Sequence, residues 1–152
     1  MSGRLQMMLK RILLMACVMI PLSAFAADPE TLSVWKKNHS WAVRFDNLFE
    51  TVKKPVWLNG ATESEPVKVT LGGHPWTVLM ACKRHDCGNH QVVVMFNDVS
   101  MYGLLFETKD NSSEEILNWL HLDGSQDSMD VKTILYAAIS GSLFNHPKNF
   151  MY

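Results

Sequence analysis

The sequence predicts a single α+β domain in which an antiparallel sheet of about five strands is flanked by helices. Alternating or β-branched apolar stretches follow one another between about residues 67 and 108, and short turns separate them. Consecutive strands joined by short turns must be antiparallel. Helical patterns lie before and after this run, which is typical of α+β rather than alternating α/β proteins. The 152 residues are 47% hydrophobic and lack low-complexity runs, which indicates one globular core.

Residues 1–26 have the three-part layout of a cleavable secretory signal peptide. Basic residues at positions 4, 10 and 11 precede an uncharged apolar stretch, and Ala24-Phe25-Ala26 supplies small residues for cleavage after Ala26. The apolar stretch is short beside the roughly 20 residues that a membrane-spanning helix needs, and Pro21 interrupts it. An uncleaved membrane anchor and lipid attachment at Cys17 are the alternatives.

Cleavage would leave residues 27–152 as the mature domain and would change its charge. Three basic residues and no acidic one would be lost from the 14 basic and 15 acidic residues of the chain, so the net charge would become −4. This charge gives no reason to expect nucleic acid as a partner, and it biases only solubility and association. The two remaining cysteines, Cys82 and Cys87, indicate one disulfide in an oxidising compartment.

One helix and one short apolar segment are predicted before the sheet. Ser40 is expected to cap a helix of about three turns that Pro55 ends. Trp57-Leu58 follows and ends in the turn signal Asn59-Gly60. The apolar residues that recur at helical spacing on one face of the helix are Trp41, Phe45, Leu48, Phe49 and Val52.

Four strands are predicted from alternation and β-branched content, and their bounds are 67–71, 76–82, 91–96 and 101–108. Gly72-Gly73 and Asn97-Asp98 are expected to form turns between them. Gly103, inside the last of these strands, indicates a β-bulge.

Two helices are predicted after the strands. Ser112 and Glu115 have the spacing of a capping box, and the apolar residues of 116–120 would form one face of a short helix. Residues 127–140 repeat the helical pattern, and Gly141 is placed where a glycine commonly ends a helix.

No motif for a catalytic nucleophile, a phosphate-binding loop or a zinc protease occurs in the chain. The densest cluster of chemically functional side chains lies at 82–90, between two predicted strands. It permits three interpretations, and the simplest is a surface hairpin stapled for stability. A zinc site is the second, because Cys82, His85, Cys87 and His90 are zinc-type ligands.

The third interpretation of residues 82–90 is a rigid recognition loop. Lys83, Arg84 and His85 would supply positive charge and hydrogen-bond donors to a concave acidic partner. In a closed ring of six residues, the loop would lose its conformational entropy during folding rather than when it binds a partner.

Residues 81–88, Ala-Cys-Lys-Arg-His-Asp-Cys-Gly, resemble the inhibitory loop of a known family, the inhibitors of vertebrate lysozyme (Ivy). The family loop is usually Cys-Lys-Pro-His-Asp-Cys. The chain departs from it at Arg84, where proline is common, and His90 is unexpected at its position. The resemblance spans about residues 54–150, and the other similar segments are 54–57, 69–72, 103–106 and 141–147.

The resemblance implies a periplasmic α+β protein, often a homodimer, that is not an enzyme and holds no metal or other cofactor. It implies that Cys82 and Cys87 close a loop that enters the active-site cleft of a C-type lysozyme. His85 would reach the two catalytic carboxylates. Lys83 and Asp86 would occupy matching loop positions, and Gly88 would help to shape the loop.

Two alternatives use the same loop differently. A non-inhibitory periplasmic binding module would place it against another peptidoglycan-cleaving enzyme, such as a lytic transglycosylase. A metal-binding protein would use the cysteine and histidine cluster instead.

Overall fold

A computed structural model of the chain describes residues 31–35, 37–109, 112–123 and 127–150, so the predicted signal segment 1–26 lies outside the described residues. These ranges form six strands, four α-helices and two short 3₁₀ helices. The strands are β1 (Thr62–Glu63), β2 (Val67–Leu71), β3 (His74–Cys82), β4 (His90–Phe96), β5 (Met101–Thr108) and β6 (Glu115–Leu120). The helices are α1 (Leu32–Trp35), α2 (His39–Asn47), α3 (Asp127–Ile139) and α4 (Ser142–Asn145), with 3₁₀ helices at Val56–Gly60 and Pro147–Phe150. None of the described helices is long and apolar enough to cross a membrane.

The six strands make one antiparallel sheet in the order β1-β3-β4-β5-β6, and β2 pairs with β3 as well. The long strand β3 accommodates both neighbours, since β1 pairs at Ala81 and Cys82 and β2 pairs between His74 and Val78. The predicted α+β fold with an antiparallel sheet is therefore confirmed.

The sheet is buried on both faces, and alternate residues of the central strand β4 contribute to two separate core layers. Val92 and Val94 pack with α1, α2 and the first 3₁₀ helix. Val93 and Met95 pack with α3 and α4 on the opposite face. Burial on both faces explains why β4 is a continuous apolar run rather than an alternating one.

Helix α2 begins and ends earlier than predicted. Its N-cap is Asn38, whose side-chain oxygen accepts hydrogen bonds from Ser40 N at 3.1 Å and Trp41 N at 3.4 Å. Asparagine is among the preferred N-cap residues, and it takes the role predicted for Ser40. The helix stops at Asn47 rather than continuing to Pro55, because the next residues form i→i+3 turns such as Phe49 N to Asp46 O.

The turn between β2 and β3 forms as predicted. Gly72 and Gly73 have φ of +59° and +75°, and Leu71 pairs with His74 across them. Two left-handed residues in a two-residue loop match the right-handed twist of the flanking strands.

The predicted bulge at Gly103 is wrong. Gly103 pairs in regular register with Val94 on one side and Leu120 on the other. A Cβ at this position would lie 3.1 Å from Leu120 Cδ1 and 3.2 Å from Val93 O. Close packing between strands, and not a kink, therefore favours glycine at this position.

The predicted helix at 116–120 is also wrong, because these residues belong to β6. Glu115 pairs with Thr108 at one end of β6, and Leu120 pairs with Gly103 at the other. Ser112 Oγ accepts from Glu114 N at 2.9 Å, which forms a local turn instead of a capping box. The edge of β5 that faces away from β4 forms backbone hydrogen bonds with β6 along residues 115–120. This strand pairing outweighs a weak local preference for helix.

The last predicted helix is confirmed as α3, which is followed by Gly141 with φ of +78°. The Gly141 N–H donates to Ala138 O at 3.1 Å at the end of the helix.

Candidate functional site

The cluster 82–90 forms the connection between β3 and β4 at one end of the sheet. Lys83 N donates to His90 O at 3.0 Å, which extends the pairing of the two strands into the loop. The C-terminal end of β5 and the N-terminal end of β6 lie at the same end of the sheet, because Glu107 pairs with His90 and Glu115 pairs with Thr108. The loop is thus a hairpin tip, as predicted.

Cys82 and Cys87 form the predicted disulfide, with their Cα atoms 4.8 Å apart. Cys82 is the buried last residue of β3, whereas Cys87 is exposed. The zinc interpretation required two thiolates, and the disulfide removes both. In the parts of the chain that the structure describes, no group of three or more histidine, cysteine, aspartate or glutamate side chains is arranged to hold a metal.

Inside the ring, residues 83–86 form a tight turn closed by a hydrogen bond from Asp86 N to Lys83 O at 2.9 Å. His85 occupies the third position of this turn with φ of +65°. Within the described residues, His121 is the one other non-glycine residue with positive φ. A left-handed backbone at a residue with a Cβ costs roughly 1–2 kcal/mol, although histidine is more tolerant than most residues.

The three basic residues of the tip have different environments. Lys83 is half-buried, and its Nζ lies 3.1 Å from Asp86 Oδ2 in an ion pair within the loop. Arg84 and His85 are exposed, and none of the hydrogen bonds or ion pairs found among the described residues involves either side chain. Of these three basic side chains, Lys83 is paired within the loop, whereas the guanidinium of Arg84 and the imidazole of His85 are exposed.

Both carboxylate oxygens of Asp86 contact other residues of the loop. Its Oδ1 accepts from Asn89 Nδ2 at 2.7 Å, and its Oδ2 lies 2.8 Å from His90 Nδ1. The hydrogen bond from Asn89, followed by that from Lys83, lowers the pKa of Asp86 below its ordinary value. Asp86 thus stays ionised at neutral pH and serves as the internal anchor of the loop.

His90 and Gly88 lie in the same connection but do not form its tip. His90 is half-buried at the start of β4, where its ring packs edge-on against Trp57 with the ring centroids 6.4 Å apart. Gly88 is exposed, its backbone is not left-handed, and a Cβ there would meet nothing within 4 Å. The structure gives no steric reason for glycine at position 88.

Sequence reasoning did not find the contact between Asn89 and Thr108 at the base of the loop. Asn89 Oδ1 accepts from Thr108 Oγ1 at 2.8 Å, and Asn89 O accepts from Thr108 N at 2.9 Å. Thr108 is 19 residues away in the chain, and no local pattern indicates such a contact. A polar groove of about 370 Å³ opens beside them, and it is lined by Asp86, Asn89, His90, Thr108, Lys109, Ser112 and Ser113.

Comparison with known proteins places the loop in a family context. The family model described as inhibitor of vertebrate lysozyme (Ivy) matches residues 41–115, which include the whole loop. The chain is 38% identical over 149 residues to the inhibitor of vertebrate lysozyme of Escherichia coli K12, and the match covers 96% of this chain and 94% of that protein. The protein of the same name from Pseudomonas aeruginosa is 33% identical over 64 residues, or 40% of this chain and 42% of that protein. The chain therefore belongs to the family of inhibitors of vertebrate lysozyme.

Proposed function

We propose that this protein inhibits a C-type lysozyme by inserting loop 82–87 into the active-site cleft, where His85 contacts the two catalytic carboxylates. The observation that carries the proposal is the exposed imidazole of His85 on a covalently closed turn. The names of the relatives support lysozyme as the target. The protein acts by occupying the cleft, so it needs no nucleophile and is not an enzyme.

The chemistry of the target explains why an imidazole suits this role. A retaining glycosidase of the lysozyme type holds one protonated carboxylic acid close to one ionised carboxylate. Imidazole has two ring nitrogens, which can donate to or accept from both groups. Contact with the ionised carboxylate favours the protonated ring, and such charge-assisted hydrogen bonds are roughly twice as strong as neutral ones.

The rigidity of the loop supports tight binding. The disulfide and the bonds to Asp86 order the backbone around His85 before any partner arrives. Less conformational entropy is then lost on association. Since Lys83 is paired within the loop, Arg84 is the exposed cation that faces the acidic floor of the cleft.

The setting of the interaction follows from the N-terminal segment and the charge. Residues 1–26 direct export to the periplasm, and the mature charge of −4 speeds the encounter with a cationic lysozyme. The homodimer that the family resemblance implies stays a prediction.

The test compares His85→Ala with His121→Ala in the purified mature chain. Both histidines are exposed and have positive φ, but His121 follows β6 at the opposite end of the sheet from the loop. His85→Ala is expected to weaken inhibition at least about tenfold, because hydrogen bonds to charged groups contribute roughly 1.5–3 kcal/mol. Residual lysozyme activity against inhibitor concentration gives the inhibition constant.

His121→Ala should inhibit like the wild type, and both variants should keep the wild-type melting temperature within a few degrees. Undiminished inhibition by folded His85→Ala would remove His85 from the mechanism. A wild-type chain that leaves C-type lysozyme active but blocks a lytic transglycosylase would assign the loop to that other target.

A further inference from the structure

We infer that Asn89 is a positioning residue, which fixes the direction of the inhibitory loop by joining it to the end of β5 through Thr108. This inference rests on the proposed function, because direction matters only if the loop must enter a cleft. Asn89 itself lies at the base of the loop and carries none of the tip chemistry.

The disulfide and the hairpin itself attach the loop to two neighbouring strands, β3 and β4. The disulfide links Cys87 to Cys82, the last residue of β3. Hydrogen bonds from Lys83 N to His90 O and from His90 N to Asp86 O tie the turn to the first residue of β4. Both attachments belong to one hairpin, so an attachment to a third strand would further restrict the tilt of its tip relative to the sheet.

Asn89 provides this attachment to a third strand, β5. Its backbone oxygen accepts from Thr108 N at 2.9 Å, and its side-chain Oδ1 accepts from Thr108 Oγ1 at 2.8 Å. Thr108 is the last residue of β5, which pairs with strands on both sides. The contact therefore reaches a strand whose own position is set by the core.

The side-chain amide of Asn89 also contacts the turn itself. Asn89 Nδ2 donates to Asp86 Oδ1 at 2.7 Å, and Asp86 in turn binds Lys83 at the start of the turn. An ionised carboxylate can only accept hydrogen bonds, so the amide nitrogen must face Asp86 and the amide oxygen must face Thr108. One side chain thus connects β5 to both ends of the turn that presents His85.

The test replaces the Thr108 hydroxyl and leaves the backbone contact in place. Thr108→Val removes the donor to Asn89 at nearly constant volume, and valine is favoured in strands, so folding is preserved. Dissociation from a C-type lysozyme, followed by surface plasmon resonance, is expected to become roughly two- to tenfold faster, which is the range for one net hydrogen bond. Thr108→Ser keeps a hydroxyl and should dissociate at close to the wild-type rate.

Thr70→Val is the matched control, because Thr70 is a half-buried strand residue that pairs with Pro75 at the opposite end of the sheet. It should leave dissociation unchanged. Wild-type dissociation rates for folded Thr108→Val would overturn the inference, and so would a Thr108→Ser variant as impaired as the valine variant.

A measurement on the free chain separates this inference from the proposed function. Amide hydrogen exchange at Asp86 and His90, whose N–H groups donate to Lys83 O and Asp86 O within the loop, is followed by NMR without lysozyme. It should become faster in Thr108→Val than in wild type, Thr108→Ser or Thr70→Val. Unchanged exchange at these amides would contradict positioning by Asn89. Failure of the wild-type chain to inhibit lysozyme, with faster exchange in Thr108→Val, would overturn only the proposed function.

Discussion

Arg84 replaces the proline that is common in the family loop, and the geometry of the turn shows what this replacement changes. Arg84 is the second residue of the turn 83–86, and its φ is not positive, whereas His85 after it has φ of +65°. A turn with positive φ only at the third position is of type II, in which proline is common at the second position. The fold of the loop is therefore compatible with the family residue.

We expect Arg84→Pro to raise the stability of the protein by about 0.4–1 kcal/mol, because proline restricts the unfolded chain at a position whose native backbone it can adopt. The same change removes a cation that would face the acidic floor of the cleft, so the complex with lysozyme should dissociate faster, and most clearly at low salt. Thermal unfolding and stopped-flow dissociation at two salt concentrations measure both effects. A lower melting temperature would show that Arg84 is not in the second position of a type II turn.

The residues of the tip could be predicted from the sequence, but the contacts beneath them could not. Cys82 and Cys87 are separated by four residues, and this segment is rich in basic side chains and lies between two strands. Such a pattern indicates a closed and charged loop. Whether Lys83 points outward or pairs with Asp86 depends on side-chain geometry that spacing does not encode.

Among the secondary-structure elements, the sequence correctly predicts those whose residue pattern fits a strand or a helix but not both. Strand β5 was predicted with its observed bounds, since its apolar run is bounded by turn residues. Strand β6 was not, because Ile116, Leu117 and Leu120 satisfy the spacing of a helical face as well as they fit a strand. Its outcome is decided by pairing with β5, a long-range contact that a local pattern does not contain.

The close approach of β5 and β6 predicts the effect of a substitution at Gly103. Gly103→Ala would place a methyl group 3.1 Å from Leu120 Cδ1 and 3.2 Å from Val93 O. Leu120 is fully buried and a backbone oxygen cannot move aside, so we expect a loss of about 1–3 kcal/mol from overpacking. Chemical denaturation of Gly103→Ala, with Gly60→Ala as a control in open space, measures this loss. Equal stability of both variants would show that the two strands separate easily.

For the molecule as a whole, stability and the proposed inhibition depend on different parts of the structure. Two core layers, one on each face of the sheet, hold the fold together. The loop proposed to inhibit lysozyme lies at the end of the sheet, and of its residues 82–87 only Cys82 contributes to the buried apolar set. The two properties can therefore be changed separately.

Removal of the disulfide should change both properties, but the proposed inhibition more than the stability. In the loop-entropy account, a ring of about six residues stabilises the fold by roughly 2 kcal/mol. We expect the double variant Cys82→Ala, Cys87→Ala to lose about that much in free energy of unfolding. Its inhibition constant should rise by more than the roughly thirtyfold that the same energy represents, because the turn is no longer held in its binding conformation. A smaller loss of inhibition than of stability would mean that the hydrogen bonds of Asp86 and Asn89 suffice to shape the loop.

At position 85, the left-handed backbone favours one residue for stability, whereas the proposed inhibition needs another. Glycine adopts this conformation without a steric penalty, so the folded chain by itself would favour glycine there. Such a replacement would discard the imidazole that the cleft is proposed to receive. Selection for heat resistance alone would therefore favour a more stable protein that lacks the side chain proposed to inhibit lysozyme, so such selection must keep position 85 unchanged.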